Sequence, residues 1–125
     1  VYREPSWLGY REQPMEVLFD FGEKGMPVSS LVVSYAHNLG SYIFPPAEVE
    51  VFAGMSADKL DRLVITQPVQ PLKSEPTRMG ILSIPLKGAS YRYCKLVLKP
   101  VAKLPQWHSG KGSKGWVMVD EVFFY

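Results

Sequence analysis

Apolar residues recur at every second position through short segments, and no segment repeats at a helical period. Met15, Val17, Phe19 and Phe21 alternate with Glu16, Leu18 and Asp20. Val49, Val51 and Ala53 alternate with Glu48, Glu50 and Phe52, and Cys94, Leu96 and Leu98 alternate with Tyr93, Lys95, Val97 and Lys99. Val28 to Ala36 is rich in β-branched residues, Leu60 to Thr66 and Ile81 to Leu86 are shorter candidates, and Trp116 to Tyr125 closes the chain. A period of two in short runs marks strands with one face buried. Turn chemistry separates them: Gly22-Glu23-Lys24-Gly25, Gly54 to Asp58, and Lys87-Gly88-Ala89-Ser90. Prolines 68, 71, 76, 85, 100 and 105 also fall mostly between segments. Ser56 to Leu63 offers one short helical turn at most. Many short strands with regular turns predict an all-β antiparallel sandwich or barrel.

The 125 residues suit one domain spanning positions 1–125, with room for a sizeable core. The single cysteine, Cys94, cannot form an internal disulfide, so the core must hold the fold alone. On an apolar strand face, it reads as an inert buried thiol. A net charge of +2 gives no global field toward nucleic acid or anionic membrane. No apolar run approaches the ~18 residues of a membrane span. The start, Val1-Tyr2-Arg3-Glu4-Pro5, has no signal-peptide pattern and reads as a piece cut from a longer chain.

Catalytic constellations are missing from this reading. Glu48 and Glu50 share a strand face roughly 7 Å apart, near the carboxylate spacing of inverting glycosidases. With Val49 and Val51 on the core side, however, both glutamates fall on a solvated outer face, and neither gains a raised pKa there. Asp120 and Glu121 are adjacent in a strand and should point to opposite faces. Gly110, Gly112 and Gly115 match a dinucleotide fingerprint by letter, but a strand from Trp116 follows where a helix N-terminus is required. Two histidines and one cysteine exclude the common structural zinc patterns.

Two loops carry the candidate site. One runs from Ala36 through His37, Asn38, Leu39, Gly40, Ser41, Tyr42, Ile43 and Phe44 to Pro46. The other runs from Val101 to Gly115 and holds Lys103, Trp107, His108, Lys111 and Lys114. Aromatic faces pack on the C–H faces of sugars, and His, Asn and Lys side chains hydrogen-bond hydroxyls. Trp107, His108, Tyr42, His37, Asn38 and Lys111 are therefore the candidate glycan-binding residues. Trp107 and Tyr42 could equally plug the end of the core. Trp116, opening a strand, is expected in the core. Aromatics among lysines can also bind single-stranded nucleic acid, but 12 acidic residues spread against 14 basic ones argue against it.

These loops also carry a resemblance. Gly40 to Pro45 followed by Val49-Glu50-Val51, and Trp107-His108-Ser109-Gly110-Lys111-Gly112 followed by Gly115-Trp116 and Asp120-Glu121, resemble coagulation factor 5/8 type C (discoidin-like) domains of bacterial hexosaminidases. Trp7-Leu8-Gly9-Tyr10 before the Met15–Phe21 strand fits the same layout, so the resemblance covers nearly the whole chain. It implies a galactose-binding-domain-like jelly roll related to family 32 carbohydrate-binding modules. Such a domain would be a non-catalytic, glycan-binding accessory to a chitobiase-like glycoside hydrolase whose attached catalytic domain is its partner. The alternative is a module that buttresses the catalytic domain and binds nothing. The resemblance further implies a secreted, periplasmic or cell-surface location. It also implies a structural calcium ion near Glu121, although the family's acidic turn before Trp7 is largely missing.

Overall fold

The computed structural model describes residues 2–11 by their backbone and residues 14–125 with their side chains. Among these lie ten strands: β1 (Tyr2–Arg11), β2 (Met15–Asp20), β3 (Met26–Pro27), β4 (Ser30–His37), β5 (Glu48–Ser56), β6 (Lys59–Thr66), β7 (Arg78–Pro85), β8 (Ser90–Tyr91), β9 (Tyr93–Lys99) and β10 (Trp116–Phe124). The described residues include one turn of 3-10 helix, Leu39–Ser41, and no α-helix. The protein is all-β, as the period-two segments predict.

Two four-stranded sheets form, in the orders β1-β10-β4-β7 and β2-β9-β5-β6, beside a small β3-β8 pair. All pairings of named strands are antiparallel. With the short pair set aside, the first sheet reads first-eighth-third-sixth and the second reads second-seventh-fourth-fifth. This nested order is that of a jelly-roll sandwich.

The inward faces are the apolar ones. Leu31 and Val33 from β4, Ile84 from β7, and Val117, Val119, Val122 and Phe124 from β10 meet Met15 and Phe19 from β2, Val49 and Val51 from β5, and Cys94, Leu96 and Leu98 from β9. The Phe124 ring meets Phe19 and Phe21 edge-on, at centroid distances of 4.9 and 5.0 Å.

Three local expectations change. The stretch from Ser56 to Leu63 is not helical: Ser56 pairs with Lys59 across the two-residue turn Ala57-Asp58, and β6 follows. Asp120 and Glu121 do not alternate simply, because β10 carries an extra residue between the Val119–Tyr35 and Glu121–Ser34 pairs. This bulge shifts the inward set from Val117 and Val119 to Val122 and Phe124. Trp116 is no core residue; it is 38% exposed. Val117 takes the inward position, so the alternation turns Trp116 outward.

The pairs Tyr2–Phe124 and Arg11–Trp116 run β1 and β10 side by side. The β4–β5, β6–β7 and β9–β10 connections all lie at the Arg11–Trp116 end, opposite residues 2 and 124.

Replacing Leu96, fully buried between the sheets, by alanine should cost about 2–5 kcal/mol in denaturant unfolding. The same change at Leu18, 48% exposed on β2, should cost well under ~1 kcal/mol.

Candidate functional site

The two aromatic loops meet at that end. Leu39, Phe44 and Leu104 form a second apolar cluster, against which Tyr42, Val101 and Trp107 pack. Phe44 lies beside the Trp107 ring (6.1 Å between centroids) and the His108 ring (5.4 Å). Tyr42 meets His108 edge-on at 5.1 Å. The structure therefore brings Tyr42, Trp107 and His108 together, with the two tyrosine and tryptophan rings half-buried.

Backbone geometry explains how. Asn38 accepts the Ser41 N–H on its side-chain oxygen at 3.3 Å and starts the 3-10 turn. Tyr42 ends the turn in the left-handed region (φ 65°), uncommon for a residue with a Cβ. Its carbonyl accepts the Trp116 N–H at 2.7 Å, and Phe44 N–H returns to the Trp116 carbonyl at 3.0 Å. The loop is thus stitched to the start of β10. The second loop closes on itself through Leu104 N–H to Ser113 O (2.8 Å) and Gly115 N–H to Val101 O (2.9 Å). Gly110 lies against the Tyr42 ring, where a Cβ would fall 2.5 Å from a ring carbon. Gly112 adopts φ 81°. These glycines serve turns and close packing, and a strand follows them, so no dinucleotide site forms.

His108 is buried and bonded at both nitrogens. Nδ1 accepts the Gly110 N–H at 2.9 Å. Nε2 therefore carries the proton and donates it to the Leu39 carbonyl at 2.5 Å. The imidazole ties one loop to the other.

The remaining candidates separate. Lys111 is exposed on the second loop. His37 ends β4 and is buried, 1% exposed, away from the Trp107 cluster in a cleft with Tyr35, Glu75 and Arg78. Burial foremost, and then the Arg78 charge, pushes its pKa below the usual histidine value against the opposing pull of Glu75. Gln70, Glu75 and Arg78, which also line this cleft, belong to no sequence motif. Their signal was a Pro-rich connection carrying amide, carboxylate and guanidinium groups.

Other titratable groups are structural. Lys99 Nζ bridges Glu48 Oε2 at 2.6 Å and Glu50 Oε1 at 3.1 Å, and Arg62 reaches Glu50 Oε2 at 3.4 Å. The pair is tied down rather than freely solvated. The Lys99 hydrogen bond is the main cause holding the Glu50 carboxyl below its ordinary range. A carboxylate so held has no proton to donate near neutral pH. Burial pushes the Cys94 thiol up to about 12, which keeps it inert. Glu121 stands at the β10 bulge, opposite Ser34 and Pro5. Among the described residues no three His, Cys, Asp or Glu side chains gather to hold a metal ion. The side chain of Trp7 and the segment before it lie outside the described side chains. No helix among the described residues is long and apolar enough to cross a membrane.

No protein-family model matches this chain, nor does any curated protein. Solved structures do match. The C-terminal domain of a chitobiase from Bacteroides fragilis is similar at a TM-score of 0.54 and 15% identity, over 96% of this chain and 74% of that one. The K2 cleaved adhesin domain of Lys-gingipain is similar at a TM-score of 0.51 and 11% identity, over 88% of this chain and 62% of that one. This chain therefore spans less than two thirds of the adhesin domain's length. At such identities the likeness is one of fold.

Replacing His108 by alanine strands the buried Gly110 N–H and leaves the Leu39 carbonyl with the Tyr42 N–H alone, at 3.1 Å. Thermal or denaturant unfolding should show a loss on the order of 1–3 kcal/mol for the stranded N–H. Lys111→Ala, at an exposed site, should leave stability within about 0.5 kcal/mol of the parent.

Proposed function

We propose that this chain is a non-catalytic accessory module of a glycoside hydrolase and binds glycan at the loop end of its sandwich. The observation that carries this reading is the assembly of aromatic and polar side chains from separate loops at one end of a rigid sheet scaffold, opposite residues 2 and 124. Half-buried Trp107 and Tyr42 keep ring surface for a sugar's C–H face, and exposed Lys111 and half-buried Asn38 offer polar groups to its hydroxyls. The fold shared with a chitobiase C-terminal domain supports the accessory role. The finer assignment, a factor 5/8 type C-like module attached to a chitobiase-like hexosaminidase at the cell exterior, rests on the motif resemblance. In that role the module raises the local concentration of substrate around its catalytic domain.

A second reading has its own observation. His108 is saturated by backbone partners, and Trp107 packs on Phe44. The cluster could thus be a plug that stiffens a module whose task is to buttress its neighbour.

Trp107→Ala separates the two. As a glycan contact, its loss should lower affinity for chito-oligosaccharide at least about tenfold, as ~1.4 kcal/mol of binding energy requires, with a small change in melting temperature. As a plug, the same change should cost about 3–5 kcal/mol of stability and leave affinity unchanged. Calorimetric titration and thermal melts on the same samples read both.

A further inference from the structure

A cleft of about 710 Å³ opens between the inner face of the β4–β7 edge and the connection from residue 67 to residue 77. Its size lies within the ~300–1,000 Å³ of small-molecule sites. Its floor holds polar atoms without partners. His37 is 1% exposed, and neither ring nitrogen makes a hydrogen bond. Its nearest charged neighbour, Glu75 Oε2, stands 3.5 Å from Nε2. Gln70 gives its amide N–H groups to the carbonyls of Pro45 (3.1 Å) and Pro46 (3.0 Å), which leaves its buried Oε1 unpaired. Buried polar atoms without partners cost stability, so three on one cleft wall are explained if a ligand completes them.

The complement of groups selects the ligand's chemistry. A neutral imidazole offers one donor and one acceptor, and Gln70 Oε1 adds a second acceptor. Hydroxyl groups can answer all three. Two cations line the cleft: Lys73 is exposed at the rim, and Arg78, which faces His37 across the β4–β7 pair, is engaged by Glu75 at 3.4 Å. At the floor a carboxylate would meet a cation already paired, with Glu75 repelling it. Above the floor the rim is apolar and open. Leu72 is 89% exposed and Val69 91%, a wall suited to the C–H face of a ring.

We propose that this cleft binds one uncharged pyranose ring of a glycan, with His37 and Gln70 taking its hydroxyls and Leu72 covering its C–H face. The inference rests on the glycan-binding reading but assigns the ring to a site separate from Trp107. It gives the module a preference for neutral over acidic sugars.

The test is ligand-observed NMR and heteronuclear titration of the 125-residue chain with methyl glucoside, methyl galactoside, N-acetylglucosamine and glucuronic acid. At least one neutral sugar should bind and shift the His37 ring signals, with glucuronic acid at least about tenfold weaker. Leu72→Asp, at an exposed rim position, should keep the fold and weaken that sugar several-fold, and His37→Phe should abolish its binding. If His37→Phe fails to fold, the Leu72→Asp variant and the His37 shifts of the parent chain still decide the question. Binding that is lost in Trp107→Ala but unchanged in Leu72→Asp and silent at His37 overturns the cleft and keeps the glycan reading. Glucuronic acid binding as tightly as the neutral sugars overturns the charge argument. No binding by any of the four overturns the cleft as a single-ring site; if chito-oligosaccharide also fails, the glycan reading falls with it.

Discussion

Burial between two antiparallel sheets is the constraint on which everything else rests. Cys94 is the sole cysteine and lies in the core, so no disulfide assists. The stripes of Leu31 and Val33, Val49 and Val51, Leu96 and Leu98, and Val117 and Val119 carry the work of excluding water. Each stripe demands strict alternation along its strand, because a slip of one residue would turn the set outward. The bulge in β10 obeys the same demand. One extra residue re-phases the strand so that Val122 and Phe124 still face inward.

That scaffold leaves its long connections at one end, and their order comes from hydrogen bonds and a second, smaller apolar cluster. The His108 imidazole spans the Leu39 carbonyl and the Gly110 N–H, Tyr42 turns the chain in a left-handed conformation, and Trp116 exchanges backbone bonds with the loop beside it. A loop held this way presents its exposed groups with little entropy left to lose, which favours binding. The cleft beside His37 differs in kind. Its polar atoms are buried but unanswered, whereas those around His108 are fully paired.

Much of the fold was legible because period-two burial is written directly into residue order. β2, β5 and β9 follow from the alternation around Phe19, Val51 and Leu96. The errors lie where tertiary context overrides local pattern. Trp116 begins a strand yet faces outward, since only register with Val117 decides its side. The stretch from Ser56 to Leu63 makes no helical turn, since the pairing of β6 with β5 across Ala57-Asp58 decides its conformation. At the candidate site, the meeting of Tyr42, Trp107 and His108 was readable from two aromatic-rich loops. The role of His108 as a tie between backbones was not, because it depends on a carbonyl 69 residues away. The surroundings of His37 were hidden for the same reason: Gln70 and Glu75 join its cleft from a connection whose prolines look like spacers alone.

The central claim is that the end of the sandwich carrying these loops is a glycan-binding surface and that the sheets are its scaffold. Amide chemical-shift mapping during titration with chito-oligosaccharide tests it most directly. The account predicts saturable shifts confined to residues 36–46, 67–78 and 101–116. Saturable shifts centred on the outer sheet faces, around Leu18 or Ser83, or no shifts at millimolar glycan, would contradict it.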